Sequence, residues 1–332
     1  MYEIKRKAMR RFEELDYMKC VFILLMIAFH LVYIGDTYPY AKQIVYTFHM
    51  PGFLVISGYL FNVNKPLRRF LRSMLWIFVP YAIMESGYVL AASMLPIREH
   101  IDHLTLPLLF GKLTLNPLGP YWYLHTLMVC GAIYYVSARI RNHFRSRCIS
   151  VAQKWLVDMP PFVAFPAVAA ALPHCGVALS FTNTCYFLAG MAIRQYARNF
   201  IDVFWTKPWT ILPLAFIACF PAWLDRAHPA GVLMVYFVMC FLMYLYRQLP
   251  PRARTVMTFI GRNTFPLLLF SPLFTILAKF YQPYLLRQEP SGILFLVVSV
   301  SIATAGSLAI AWGFDKLRIS PWFFGREKSI VF

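Results

Sequence analysis

Two histidines and a lysine near the start of this chain have the types and spacing to do chemistry. His30 stands eleven residues after Lys19. Eleven helical steps of about 100° come within about 20° of three full turns, so on a helix both side chains share one face, roughly 16 Å apart in rise. Asp16 lies three residues before Lys19 and can pair with it on that face. An imidazole, with a free pKa of about 6.5, takes and gives protons at neutral pH. His49 sits in Phe48-His49-Met50-Pro51-Gly52-Phe53, on the next apolar run after a short connection, so the two rings can meet. Glu85 and His125 are further titratable groups inside apolar runs. No HExxH pattern or cysteine cluster accompanies these histidines, and the spacing does not suggest a metal.

The elements that must position these groups are apolar. The chain has 332 residues, 60% of them hydrophobic and 14% charged, where a soluble domain carries about 25% charged residues. Too few charges remain to build a watery surface, and lipid serves as solvent instead. Apolar runs occur at 20–34, 44–61, 73–95, 121–138, 162–172, 177–193, 209–224, 231–246, 264–281 and 293–314. With their aromatic and basic flanks these approach the roughly 20 residues a span needs. The fifth is short and proline-flanked, and either borrows Trp155–Val157 or turns back as a re-entrant segment. The expectation is an all-α integral membrane protein, a bundle of about ten transmembrane helices forming one domain over 1–332. It has a basic N-terminal segment, 1–19, and a tail, 315–332.

Of the 32 Lys and Arg residues, 26 fall on one side of such a bundle and six on the other. Cytoplasmic loops collect cations, so both termini are expected in the cytoplasm of a cell with this protein in its plasma (inner) membrane. An odd number of spans would break the alternation. The net charge of +18 comes from short basic runs between apolar segments rather than from a nucleic-acid-binding pattern. The first apolar run follows a charged stretch of nineteen residues, lacks a clear cleavage site and should stay as a span. The seven cysteines include no CxxC pair and read as small buried side chains.

Titratable groups at membrane depth are costly and tend to mark function. His30, His49, Glu85 and His125 reach a similar depth from four helices, the way bundles build sites. Each also has a plainer reading. His125 and Glu85 suit structural hydrogen bonds equally well, and Lys19 suits a snorkelling anchor. Arg68, Arg69 and Arg72 fit either a positive-inside anchor or a phosphate-binding patch. Ser57 and Gly58 allow close helix contact. Tyr121, Trp122 and Tyr123 mark the outer boundary.

Leu15-Asp16-Tyr17-Met18-Lys19 through His30, then Phe48 to Phe53 and Ile56-Ser57-Gly58-Tyr59-Leu60-Phe61, resemble the acyltransferase-3 family of membrane O-acyltransferases. Arg69 to Arg72 leading into Val79-Pro80-Tyr81, Tyr121-Trp122-Tyr123-Leu124 and Gly261-Arg262-Asn263-Thr264 are similar to its later motifs. Lys19 stands where the family usually has arginine, as in its fucose 4-O-acetylase-like subgroup. Ser271-Pro272 stands where the family often has histidine. The resemblance implies the stand-alone type, an acyl-CoA donor (usually acetyl-CoA) from the cytoplasm, and a hydroxyl acceptor on a cell-surface glycan or lipid-linked saccharide. His30 is then the general base, with His49 or Glu85 orienting it. A covalent acyl-histidine is compatible with the same residues. Lys19, Arg69 and Arg72 would contact the donor, and His125, Trp122 and Tyr123 the acceptor. Two other readings stand beside this one: a proton-coupled transporter or exporter, and a non-catalytic component of a polysaccharide assembly complex.

Overall fold

A computed structural model describes residues 12–332 apart from 95–99, 146, 148, 149, 151, 152, 154–157, 159 and 198. Residues 1–11 of the basic N-terminal segment lie outside the described residues, as do Arg98, Cys148, Lys154, Trp155–Val157 and Arg198. The helices are α1 (Glu13–His30), α2 (Val32–Thr37), α3 (Pro39–Leu60), α4 (Leu67–Met94), α5 (Leu106–Thr114), α6 (Trp122–Arg145), α7 (Pro160–Ala171), α8 (Phe181–Tyr196), α9 (Ile211–Ala218), α10 (Pro229–Gln248), α11 (Pro251–Arg262), α12 (Thr264–Gln288), α13 (Ile293–Lys316) and α14 (Ser320–Phe323). No strand occurs among the described residues.

Every apolar run expected from the sequence carries a helix. By length and composition α4, α10, α12 and α13 suffice to cross a bilayer. Helices α1, α3 and α6, of 18, 22 and 24 residues, have the length but carry the polar site residues. The fifth and seventh runs give helices of only 12 and 8 residues. At 1.5 Å per residue these are about 18 and 12 Å long, against a hydrocarbon core of about 30 Å. In the seventh run Pro221, which has no N–H to donate, opens a separate 3-10 turn after α9 has ended.

The first run is not one continuous helix. Leu31 is extended (φ −68°, ψ 111°) and its N–H bonds back to Ala28, so α1 stops at His30 and α2 resumes at Val32. Two stretches between the apolar runs also carry helices. One is α5; the other is α11, whose three arginines, Arg252, Arg254 and Arg262, come from a polar run between apolar ones.

Close packing is concentrated where side chains are missing. Helices α3 and α8 cross at Gly58 and Gly190. A Cβ on Gly58 would collide with the Phe187 carbonyl oxygen, and one on Gly190 with that of Val55. Gly261 does the same for α11 on α1, because a Cβ there would meet the carbonyl oxygen of Asp16. Two backbone contacts, one on α3 and one on α1, therefore set where the polar faces of those helices point.

Candidate active site

Lys19, Ile23, Met26 and His30 follow one another on α1 at spacings of four, three and four residues, which keeps them on one face. All four line cavities. His30, with Met26, faces a cavity of about 490 Å³, which His49, Tyr46, Lys42, Trp122 and Arg226 also line. Lys19 and Ile23, with Met26, face a second cavity of about 160 Å³, which Ser57, Phe53, Tyr123 and Thr264 also line. Only Met26, Met50 and Leu268 are common to both. The two cavities therefore lie end to end, divided by three apolar side chains from α1, α3 and α12.

Both histidines are held the same way. His30 Nδ1 lies 2.7 Å from the carbonyl oxygen of Met26, and His49 Nδ1 lies 2.7 Å from that of Val45, each four residues back on its own helix. A carbonyl only accepts, so in each neutral ring Nδ1 carries the proton and donates. The tautomer is thereby assigned by the hydrogen-bond network, and Nε2 keeps a free lone pair. His49 is buried, and its Nε2 has no hydrogen-bond partner among the described residues. The Tyr46 ring lies between them, its centroid 6.3 Å from the His30 ring and 5.1 Å from that of His49. The larger cavity is thus walled by two imidazoles whose unprotonated edges are available as proton acceptors.

At the other end, Lys19 Nζ is 2.8 Å from Asp16 Oδ1. Arg262 Nε approaches Asp16 Oδ2 at 3.5 Å, and its guanidinium reaches Glu13 Oε1 at 4.0 Å. Two cations and two carboxylates balance there. Within this cavity Ser57 Oγ and Tyr123 Oη share a 2.6 Å hydrogen bond. Asn263, beside Arg262, bonds both backbone groups of Val331 through its amide, at 2.8 and 3.0 Å. The Gly261-to-Thr264 segment therefore brings α11 onto α1, places a counter-charge and opens α12 into the cavity.

The other sequence-derived residues are placed differently. Glu85 lines neither cavity. Its Oε1 accepts from the Leu118 N–H at 2.5 Å, tying α4 to the turn before α6. His125 also lines neither; its Nε2 donates to the Thr114 carbonyl at 2.9 Å and ties α6 to the end of α5. Trp122 faces the His30 cavity and Tyr123 the Lys19 cavity. Arg69 and Arg72 are exposed on the first turns of α4 and line neither. A third cavity of about 250 Å³, with Lys65 and Asn62 in its wall, shares Ser57 and Leu127 with the Lys19 cavity.

The sequence reading gives no site role to Lys42, Tyr46, Arg226 or Arg262. The available signal was scarcity: Lys42 and Arg226 are two of only six cations on the side of the bundle expected to be poor in them. Among the described residues no three His, Cys, Asp or Glu side chains are grouped as metal ligands.

Comparison with protein families finds one match: the family model described as an acyltransferase domain covers residues 12–312. No curated protein and no solved structure matches the chain.

Proposed function

The chain belongs to the acyltransferase-3 family and is a multi-pass membrane protein, and from that premise we propose that it moves an acyl group, acetyl by default, from cytoplasmic acyl-CoA to a saccharide hydroxyl arriving from the opposite face. The reading rests on the two end-to-end cavities, one opening at Lys19 and the other holding the free Nε2 edges of His30 and His49. The N-terminus and the Lys19 cavity then face the cytoplasm of a cell with the protein in its inner membrane, as the distribution of cations favours.

In this mechanism the pantetheine arm enters past Lys19 and Arg262, and the Ser57 and Tyr123 hydroxyls are available to its amides. Arg69 and Arg72, exposed at the head of α4, meet the donor's phosphates at the membrane surface. The acceptor lies in the larger cavity against Trp122. His30 Nε2 takes the proton of the acceptor hydroxyl as that oxygen attacks the acyl carbon. A C–O bond forms, the C–S bond breaks, and the proton passes from His30 to the departing CoA thiolate. His49 Nε2 accepts a second hydrogen bond from the acceptor and fixes its orientation. Glu85 through Oε1 and His125 through Nε2 bond to backbone outside both cavities and act as positioning residues for α4 and α6.

The test is direct. Protein in nanodiscs is incubated with radiolabelled acetyl-CoA and the glycan and lipid-linked saccharide fractions of its own cells. Label in a saccharide with stoichiometric CoA release is expected, and His30→Asn should lower the rate of both by about 10²–10⁴-fold. Saccharide movement across a vesicle membrane without CoA release would replace this reading with transport.

A further inference from the structure

We propose that the acceptor is an acidic saccharide, carrying a carboxylate or phosphate oxyanion that Lys42 and Arg226 hold beside the two imidazoles; this rests on the acyl-transfer reading above. Both cations line the His30 cavity. The Lys42 ammonium lies within electrostatic range of His30 and the Arg226 guanidinium within range of His49. No ion pair among the described residues takes up either one. Asp225 also lines the cavity, and one of its oxygens is occupied by the Ala227 N–H at 2.7 Å. Two cations, one carboxylate and two imidazoles leave the wall with an excess of positive charge. In the Lys19 cavity, by contrast, the one lining cation, Lys19, is already paired with Asp16.

Arg226 is also held in place. The Tyr186 hydroxyl donates to its carbonyl at 2.7 Å. Gln43 of α3 donates to the carbonyls of Pro221 and Leu224 at 3.0 and 3.4 Å, and the Tyr40 hydroxyl donates to that of Ala218. Gly231 lets the start of α10 close on the Asp225 carbonyl, where a Cβ would collide. These ties fix the backbone from which the Arg226 guanidinium reaches the cavity, a fork suited to bidentate recognition of a carboxylate or phosphate. Lys42 lies over the Tyr46 ring, 5.7 Å from its centroid, on the side of the cavity nearer His30. An oxyanion bound between the two cations sets a neighbouring hydroxyl against the Nε2 edges, and a neutral sugar gains no such register.

The test uses the native acceptor. Glycan and lipid-linked saccharide from the producing cells are separated on an anion exchanger, and each fraction is offered with radiolabelled acetyl-CoA. Label is expected only in material that binds the exchanger. Carbodiimide–borohydride reduction of carboxyl groups, or phosphatase and mild acid, should remove acceptor activity and show which oxyanion is read. Arg226→Gln and Lys42→Gln should each raise the acceptor KM by about 10–100-fold with the acetyl-CoA KM unchanged. Arg226→Lys should fall between. Label in the neutral fraction, or an Arg226→Gln enzyme that folds with an unchanged acceptor KM, would overturn the charge assignment and leave acyl transfer standing. No label in any fraction would remove acyl transfer itself.

Discussion

Replacing His30 by asparagine separates the chemistry of the ring from its place in the helix. The Asn amide N–H₂ occupies the position of Nδ1 and can donate to the Met26 carbonyl, where the ring donates at 2.7 Å. That hydrogen bond contributes about 0.5–1.5 kcal/mol and is largely kept. Nε2 is lost, and with it the proton acceptor on the cavity side. General-base catalysis is worth about 10²–10⁴-fold, or about 2.7–5.4 kcal/mol of barrier at about 1.36 kcal/mol per decade. Initial rates with saturating acetyl-CoA and acceptor should fall by that factor, while the acetyl-CoA KM and the thermal midpoint stay near wild type. His49→Asn makes the same exchange against Val45. It should raise the acceptor KM as well as lowering kcat, because the role proposed for His49 is to orient the acceptor. In the double variant the losses should fall short of the product of the single ones, as for groups acting as a unit. A His30→Asn enzyme within tenfold of wild-type kcat would refute the assignment. So would a loss confined to the acetyl-CoA KM.

Four further outcomes follow from the structure. Glu85→Ala removes the acceptor of a buried backbone N–H and should cost roughly 1–3 kcal/mol in denaturant unfolding, with kcat per folded molecule unchanged. Gly58→Ala forces α3 away from the Phe187 carbonyl and should cost about 1–3 kcal/mol, lowering the unfolding midpoint and activity together; an unchanged midpoint would contradict the crossing. Met50→Ala thins the wall between the cavities and should raise acceptor-independent CoA release from acetyl-CoA several-fold, measured with a thiol reagent. Glu289 caps α13: hydrogen bonds from the Ser291 side chain, the Leu294 N–H and the Ser291 N–H hold its carboxyl below the ordinary range. A depressed folded pKa stabilises above the unfolded value and is lost as pH falls through the folded one. The midpoint advantage of wild type over Glu289→Gln should therefore be full at pH 6 and shrink on acidification below about 4.

Helical arithmetic was enough to place Lys19 and His30 on one face, because both lie on a single helix and only rotation per residue enters. Met26 falls on that face by the same count. Nothing distinguishes it in sequence, since an apolar residue in an apolar helix carries no mark of facing a cavity rather than lipid. Glu85 shows the converse limit. Its depth was readable from its distance along α4, but its azimuth was not. A lipid-exposed helix is apolar on all sides and has no polar stripe to fix its rotation, so the carboxylate's turn toward Leu118 required the packing of α4 on α6. Arg226 was hidden for another reason. It sits on a loop more than 170 residues from His49 in sequence, and only the pinning of that loop on α3 brings it to the ring. The break at Leu31 was equally unmarked, as neither proline nor glycine stands there.

An acyltransferase that spans a membrane has to keep a thioester from water while a hydroxyl, chemically little different from water, is admitted to it. The arrangement of the cavities answers that requirement through which groups lie on which side. On the proposed reading the two imidazoles stand on the acceptor side, since both line the larger cavity. The Lys19 cavity is the smaller, about 160 Å³, and Lys19 is already paired with Asp16. Met26, Met50 and Leu268 stand between, offering water no hydrogen bond. An apolar partition lets an acyl group through at little cost, because a methyl carbonyl loses few hydrogen bonds in leaving the pantetheine side, whereas a water molecule loses nearly all of its own. The same partition distinguishes transfer from transport. Widening a transporter's constriction passes more cargo, while widening this one exposes the thioester to His30 and to water together. Loss of coupling in Met50→Ala, with CoA released and no saccharide labelled, is therefore the signature to seek.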